Sequence, residues 1–353
     1  MGEFSEQIIH EANRLAVEDP RRNLGIALGQ LIGTESPTKD TILDVLAARQ
    51  QFTPEHLPPL LFSSLQYLAL KDGKGLSSFG TMNSEEWKKY IENAVNVHRP
   101  DLTKLLKERN VQSFIIRRYF PAKLLARVAY GDSPVSMLDI GASLNLGLAA
   151  VAGDNNGEMF NGIELNEVPK NLYDGRVNLA SGVGVDLFEP DKEWVKACIW
   201  PGHEDERDTI ERASASLKDR TPQLSFRKLD ALEMGEVPDL QDRFDIAVAS
   251  GMIYQLQPEL KAKFLETVGK VIKRKGFLLV NDYPPEVNAK DSFTYSTEVI
   301  PIVDGLLRQP LKILKAESPF YRKSRYPRPF VATQWRGTWE PNSSFAWPES
   351  WFC

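Results

Sequence analysis

The sequence predicts an α/β chain in which an all-helical N-terminal domain, residues 1–130, precedes a mostly parallel sheet with helices on both faces, residues 131–353. Three observations lead there. Apolar residues recur at helical spacing through the first part; a Gly131-Asp-Ser-Pro134 turn cluster then changes the texture; and beyond it short apolar runs alternate with helical patterns to the end.

In the first part, Pro58 and Pro59 stand where a helix would start, and Leu61, Leu65 and Leu68 continue its buried face. Asn83 and Glu86 form a capping pair ahead of a second stripe, Trp87, Ile91, Ala94 and His98, on which His98 reads as a core histidine. Pro100 separates that stripe from a helix beginning near Asp101. After residue 131 the predicted strands are 135–140, 160–165, 182–188, 224–228, 244–249, 277–280 and 330–335. Residues 258–275 read as a helix, with Pro258 in the first turn, Leu260, Phe264, Val268 and Val271 along one face, basic residues in the last turn and Gly276 as its stop.

Composition bounds the functional classes. At 42% hydrophobic, 26% charged and a net charge of −5, the 353 residues have the balance of a globular chain, which excludes disordered and fibrous classes. No apolar run approaches the roughly 18–20 residues of a membrane span, so no membrane partner is expected. The first twenty residues carry acids where an export signal would carry a basic region and an apolar run, which predicts a cytoplasmic chain. Two cysteines, Cys198 and Cys353, without a Cys-x-x-Cys, make neither a disulfide scaffold nor a structural zinc site, and Cys198 reads as core. His203-Glu-Asp-Glu-Arg207 is not His-Glu-x-x-His; its acids suit a helix first turn, and no metal is expected.

The stretch richest in chemistry is Asp139-Ile-Gly-Ala-Ser-Leu-Asn-Leu-Gly147, at the first strand-to-helix turn, where a parallel sheet holds the anionic end of a cofactor. Without Gly-Lys-Ser/Thr it is not a phosphate loop, and Gly141 to Gly147 misses the G-x-G-x-x-G spacing of a dinucleotide fingerprint. It resembles motif I of class I methyltransferases that use S-adenosylmethionine, an acidic residue followed by x-Gly-x-Gly-x-Gly. Asp139 and Gly141 match, while Ser143 and Asn145 stand at the second and third glycine positions, with Ala142 between. Small residues there let backbone approach a ligand closely. Asp186, ending Gly182-Val-Gly-Val-Asp-Leu187, and Asp230, followed by Ala231, are strand-end acids suited to ribose hydroxyls and an adenine amino group; each is equally a natural helix N-cap. By spacing alone, Glu164 in 160–165 competes with Asp186 for the ribose.

Further residues in order resemble a bacterial family of uncharacterised proteins whose hallmark is Gly-Ala-Ser-Ala-Gly-Leu-Asn-Leu and which is classed with the S-adenosylmethionine methyltransferases. They are Leu57-Pro-Pro-Leu-Leu61; Arg109, Gln112 and Arg118 of an Arg-x-x-Gln-Thr-Asn-Glu-x-x-Arg pattern; Gly141-Ala-Ser-Leu-Asn-Leu146; Gly184-Val-Asp-Leu187; Ile199-Trp-Pro201 with Glu206, Arg207 and Ala213; Asp230-Ala231; and Ser250 with Tyr254. Two departures stand out: the hallmark's Ala-Gly is absent between Ser143 and Leu144, and Phe114 and Ile115 replace Asn-Glu. The resemblance implies a Rossmann-like methyltransferase sheet, S-adenosyl-L-methionine as cofactor, and Asp186 rather than Glu164 as the ribose acid. It names no substrate.

Methyl transfer asks the protein to position a nucleophile and, where needed, remove its proton. Candidates are Ser250, which is also counted with Asp139, Gly141, Ala142, Ser143, Asn145, Asp186, Leu187, Asp230 and Ala231 as cofactor-binding, Tyr254, Asn281, Asp282 and Tyr283, with Asp282 and Tyr283 favoured as catalytic. Asn281-Asp-Tyr-Pro-Pro285 is similar to the Asn/Asp-Pro-Pro-Tyr motif of amino-group methyltransferases, but its order differs and two prolines equally make a turn. The charge is asymmetric, since residues 308–336 carry eight basic side chains against Glu317 alone, and four of the seven tryptophans fall at 335–351. That tail suits RNA phosphates and bases, or a solvated loop before a last strand, the latter preferred in an acidic chain. The expected protein is therefore an S-adenosylmethionine-dependent methyltransferase acting on a small molecule, its helical domain choosing the acceptor. An RNA methyltransferase and a non-catalytic nucleotide-binding module are the alternatives. The oligomeric state is not predicted.

Overall fold

The computed structural model describes residues 2–15, 17, 19–49, 56–74, 77–153, 163–164, 175–201, 203–217, 224–253, 256–282, 295–316 and 324–325. The chain forms two compact units. The first comprises Met1–Ser113 with Asp191–Ile210, and the second Phe114–Pro190 with Glu211–Cys353.

The first unit is helical: α1 Gly2–Asn13, α2 Pro20–Gly33, α3 Pro37–Ala48, α4 Leu57–Lys71, α5 Ser84–Glu108 and α8 Lys192–Ala197, with the start of α9 Glu204–Leu217. Side chains of Asp19 and Ser36 accept backbone N–H groups at the starts of α2 and α3, and Asn83 and Glu86 form a reciprocal capping box on α5. Pro100 lies inside α5, which departs from helical geometry at His98 (φ −121°, ψ 21°), so the two expected helices are one kinked element. His98 corrects its expected role: it is not a core residue, but places Nε2 3.3 Å from Asp72 Oδ2 on a half-buried face.

The boundary expected near residue 130 lies at Ser113/Phe114, and residues 191–210 join the helical unit from the middle of the sheet sequence. Packing explains both differences. Trp194 is wholly buried among the helical core, Trp200 stacks on Phe62 at 3.9 Å, and buried Gln66 donates to the carbonyls of Ala197 (3.0 Å) and Ile199 (2.9 Å) while accepting from Arg207. Cys198 is buried as expected; burial pushes its thiol up to about 11, which leaves it unreactive as a nucleophile at neutral pH. Residues 116–130, for their part, form a 3₁₀ turn, Ile116–Tyr119, and α6 Phe120–Tyr130. The Tyr130 ring meets Phe277 edge-on and its hydroxyl donates to the Asp245 carbonyl, which ties α6 to the sheet.

Among the described residues, the second unit is built on a ten-stranded sheet: β1 Val135–Ile140, β2 Ile163–Glu164, β3 Leu179–Asp186, β4 Leu224–Lys228, β5 Phe244–Ser250, β6 Ile272–Asp282, β7 Tyr295–Val303, β8 Leu306–Leu307, β9 Leu311–Ala316 and β10 Ser324–Arg325. The order is β2-β10-β9-β7-β6-β5-β1-β3-β4, with β8 on β7. Strands β4, β3, β1, β5 and β6 are mutually parallel, whereas β7, β8 and β9 add antiparallel pairs. The first four parallel strands were expected at nearly these bounds; the antiparallel extension was not, and 330–335 lies outside the described residues. Residues 163–164, within the expected strand 160–165, pair with β10 at the edge opposite β3, which removes Glu164 from the neighbourhood of the glycine loop.

The helix α10 Pro258–Val271 starts where predicted but ends four residues early, and β6 takes over at Ile272. Gly276 is therefore a strand residue. A side chain there would meet the Asp245 carbonyl at 2.6 Å, so glycine allows β5 and β6 to close up, while Lys273 Nζ reaches both Asp245 carboxylate oxygens at 2.9 Å.

Asn281 and Asp282 likewise fall within β6 rather than in a turn after it. Asn281 is fully buried, donates from Nδ2 to the Arg118 carbonyl at 2.9 Å and accepts from Thr297 Oγ1 at 2.7 Å, which makes it a clamp between the 3₁₀ turn and the sheet. Asn281→Leu is expected to remove both hydrogen bonds and to cost about 2–4 kcal/mol in urea unfolding; a loss below about 0.5 kcal/mol would contradict that role.

Candidate functional site

Reading outward from β1, the order of the parallel strands reverses between β1 and β5: β3 and β4 lie to one side of β1, β5 and β6 to the other. In open α/β sheets that reversal opens a crevice beyond the strands' carboxyl ends. The predicted residues gather along this edge. Asp139 lies next to the end of β1 and Gly141 just beyond it, Asp186 ends β3, Asp230 follows β4, Ser250 ends β5 and Asp282 ends β6. Leu229 N–H donates to the Asp186 carbonyl (2.8 Å), setting Asp230 beside β3.

The loop 141–146 is held from below. The N–H groups of Gly141 and Ala142 both donate to the Val185 carbonyl, at 2.9 and 3.0 Å, and Ser143 N–H donates to Asp186 Oδ2 at 2.9 Å. Gly141 has φ +75°, and Ser143 and Asn145 have φ +50° and +55°, so the two residues standing at glycine positions of the motif adopt the left-handed conformation that glycine adopts freely. Backbone held this way in non-glycine residues stores of order 1 kcal/mol each and is concentrated at functional sites. Gly184 makes the loop's descent possible: a Cβ on it would lie 2.1 Å from Asn145 Oδ1 and 2.8 Å from Ala142 Cβ.

Asp139 is 1% exposed. Its Oδ2 accepts from the Tyr119 hydroxyl at 2.9 Å, while Oδ1, also buried, has no hydrogen-bond partner among the described residues. Burial raises its carboxyl to about 7; the Tyr119 hydrogen bond opposes that rise and the nearby Asp186 carboxylate adds to it. Tyr119 itself is pushed well above its ordinary value by burial and by Asp139. The ring of Tyr119 occupies the space over Gly147, the first residue of α7 Gly147–Ala152. Two further buried oxygens along the same edge lack partners among the described residues, Ser143 Oγ and Ser250 Oγ. An unpartnered carboxylate oxygen and two hydroxyls beside a tight loop suit a polar or cationic ligand group.

A protein-family model matches residues 28–302; its description reads "Uncharacterized protein conserved in bacteria (DUF2332)". The chain belongs to that family. No curated protein matches it in sequence. Among solved structures, the family member is similar to the cyclase SpnF (14% identity, 48% of this chain and 47% of the other, TM-score 0.29) and to YcgJ of Bacillus subtilis (17%, 49% and 54%, 0.28). It is also similar to 1,6-didemethyltoxoflavin-N1-methyltransferase of Burkholderia thailandensis, solved with S-adenosylhomocysteine (16%, 53% and 61%, 0.26). The chain spans about half the length of these structures. At such TM-scores, the Rossmann-like α/β fold of the DUF2332 chain rests on its own strand order.

Within this family member, Asp139, Gly141, Ala142, Ser143, Asn145 and Asp186 form one connected loop assembly, and Asp230, Ala231 and Ser250 line the same edge. Asp230 Oδ1 accepts from Leu232 N–H (2.9 Å), so its turn-capping role is real; Leu187, 43% exposed, offers apolar surface next to Asp186. Asp282 is buried at the end of β6, while Tyr254 and Tyr283 lie outside the described residues. Phe114 and Ile115, which depart from the arginine pattern, are buried. Sequence reasoning missed Tyr119 and Gly147. The one available signal was a glycine opening a helix, where a better helix former is the ordinary choice.

Proposed function

We propose that the α/β unit binds S-adenosyl-L-methionine and transfers its methyl group to a small-molecule acceptor. The observation that carries this reading is the buried, half-satisfied Asp139 carboxylate beneath a loop whose Ser143 and Asn145 take the glycine conformation, beside the Asp186 carboxylate. The donor set fits the cofactor: Asp139, Gly141, Ala142, Ser143 and Asn145 would hold its methionine end, Asp186 and Leu187 the ribose, and Asp230 and Ala231 the adenine. When bound, the cofactor supplies a sulfonium methyl for in-line displacement. Ser250 orients the acceptor through its unpartnered hydroxyl, and Asp282 takes the acceptor's proton.

The test is transfer of isotopically labelled methyl groups to a deproteinised bacterial metabolite extract. Label in the small-molecule fraction with wild type, and a loss of at least about tenfold with Asp282→Ala, is expected. Label appearing only with added RNA would move the acceptor to RNA, and no transfer despite binding would leave a nucleotide-binding module.

A further inference from the structure

Among the described residues, Asp139 forms no ion pair with a lysine, arginine or histidine. The groups that act on it are the Tyr119 hydroxyl and the Asp186 carboxylate at the end of the neighbouring strand; the Arg118 guanidinium acts on Tyr119 from the same turn. A carboxylate sealed from water, 1% exposed, with one oxygen lacking any donor and a second carboxylate nearby, is costly to keep ionised without a counter-charge.

We propose that a proton serves as that counter-charge in the ligand-free site, and that a ligand bringing an ammonium group displaces it, so that binding selects a nucleoside whose side chain carries an ammonium over the bare nucleoside. The proposal rests on the S-adenosylmethionine reading of the site. The exchange balances: the protonated Asp139 carboxyl loses its O–H proton to solvent, and the resulting carboxylate is compensated by the ligand's ammonium, which keeps its own protons. Tyr119 is the positioning residue. By donating to Oδ2 it favours the ionised form and therefore sets the pH at which the exchange occurs; Gly147 gives its ring the room to do so.

The sign follows. Below about pH 7 the free site holds the proton, so ligand binding releases it and affinity rises with pH by up to about tenfold per unit; above it, affinity is flat. Calorimetry of the full chain with S-adenosylhomocysteine in buffers of different ionisation heat, from pH 5.5 to 8.5, counts the released protons. Wild type is expected to release close to one proton at pH 5.5 and almost none at pH 8.5. 5′-Methylthioadenosine, which lacks both the ammonium and the carboxylate, is expected to release none and to bind at least about tenfold more weakly at pH 8. In Tyr119→Phe the release midpoint should move to higher pH, a shift that a merely structural role for the ring does not produce.

Asp139→Asn should bind without proton release. Should that variant fail to fold, the infrared carbonyl band of a protonated carboxyl in ligand-free wild type at pH 5.5, lost on adding S-adenosylhomocysteine, reports the same event. Binding of S-adenosylhomocysteine with no proton release and a flat pH profile would overturn the exchange while leaving the cofactor reading intact. Absence of binding by either nucleoside would overturn both.

Discussion

Gly147→Ala is expected to destabilise the α/β unit by about 3–5 kcal/mol, the sum of overpacking a filled site and breaking one buried hydrogen bond. A Cβ at position 147 would lie 2.0 Å from both Cε1 and Cζ of Tyr119 and 2.5 Å from its hydroxyl. The ring has little room to retreat, because Tyr119 is only 6% exposed. Displacing it also removes the one hydrogen-bond donor to Asp139 among the described residues, which leaves both oxygens of a buried carboxyl unsatisfied there. Urea unfolding of the single variant and of Tyr119→Leu/Gly147→Ala checks the mechanism. With the ring gone the added methyl fits, so the double variant should lose less than the sum of the single losses. Wild-type stability in Gly147→Ala would contradict the packing.

The second large effect is a pH dependence. Asp139 has a carboxyl raised to about 7 in the folded protein, against the ordinary carboxylate range when unfolded. The folded state therefore binds the proton more tightly, and its stability advantage is complete below pH 4, declines as pH rises from about 4 to 7, and is absent above. Asp139→Asn does not titrate. Its stability should match wild type within about 1 kcal/mol near pH 4 and exceed it by a few kcal/mol at pH 8, as measured by urea midpoints across that range. Parallel curves for the two proteins would show that Asp139 is not the buried titrating group.

Much of this fold was legible because local pattern and final environment agree. Val135–Ile140, Leu224–Lys228 and Phe244–Ser250 are short apolar runs that remain buried or half-buried strands, and the Asn83–Glu86 pair caps the helix it precedes. What stayed hidden depends on partners distant in sequence. Trp194 and Trp200 enter the helical core because Gln66 and Phe62 receive the segment that carries them. The end of α10 is set by the pairing of Lys273 with Asp245 and by the close approach of Gly276 to β5, neither of which interrupts the helical period of Val268 and Val271. Strand β7 contains Pro301, which by itself argues against a strand.

The site divides the same way. The loop was visible from residue types alone, since small and strand-end acidic residues are what close backbone approach and hydroxyl recognition require. That Ser143 and Asn145 adopt positive φ agrees with their standing at glycine positions. Tyr119 was invisible because its role arises from the juxtaposition of Asp139 and Gly147, which no spacing encodes. Asn281, read as a candidate reactive group, is consumed by Arg118 and Thr297.

The central claim is that the crevice between β1 and β5 holds S-adenosyl-L-methionine with Asp186 on its ribose. Calorimetric titration of wild type and Asp186→Ala with that cofactor at pH 8 tests it most directly. Binding by wild type, weakened by at least about thirtyfold in Asp186→Ala through loss of charged hydrogen bonds to the diol, is the predicted result. Equal affinity in the two proteins, or no heat from wild type at millimolar cofactor, would contradict it.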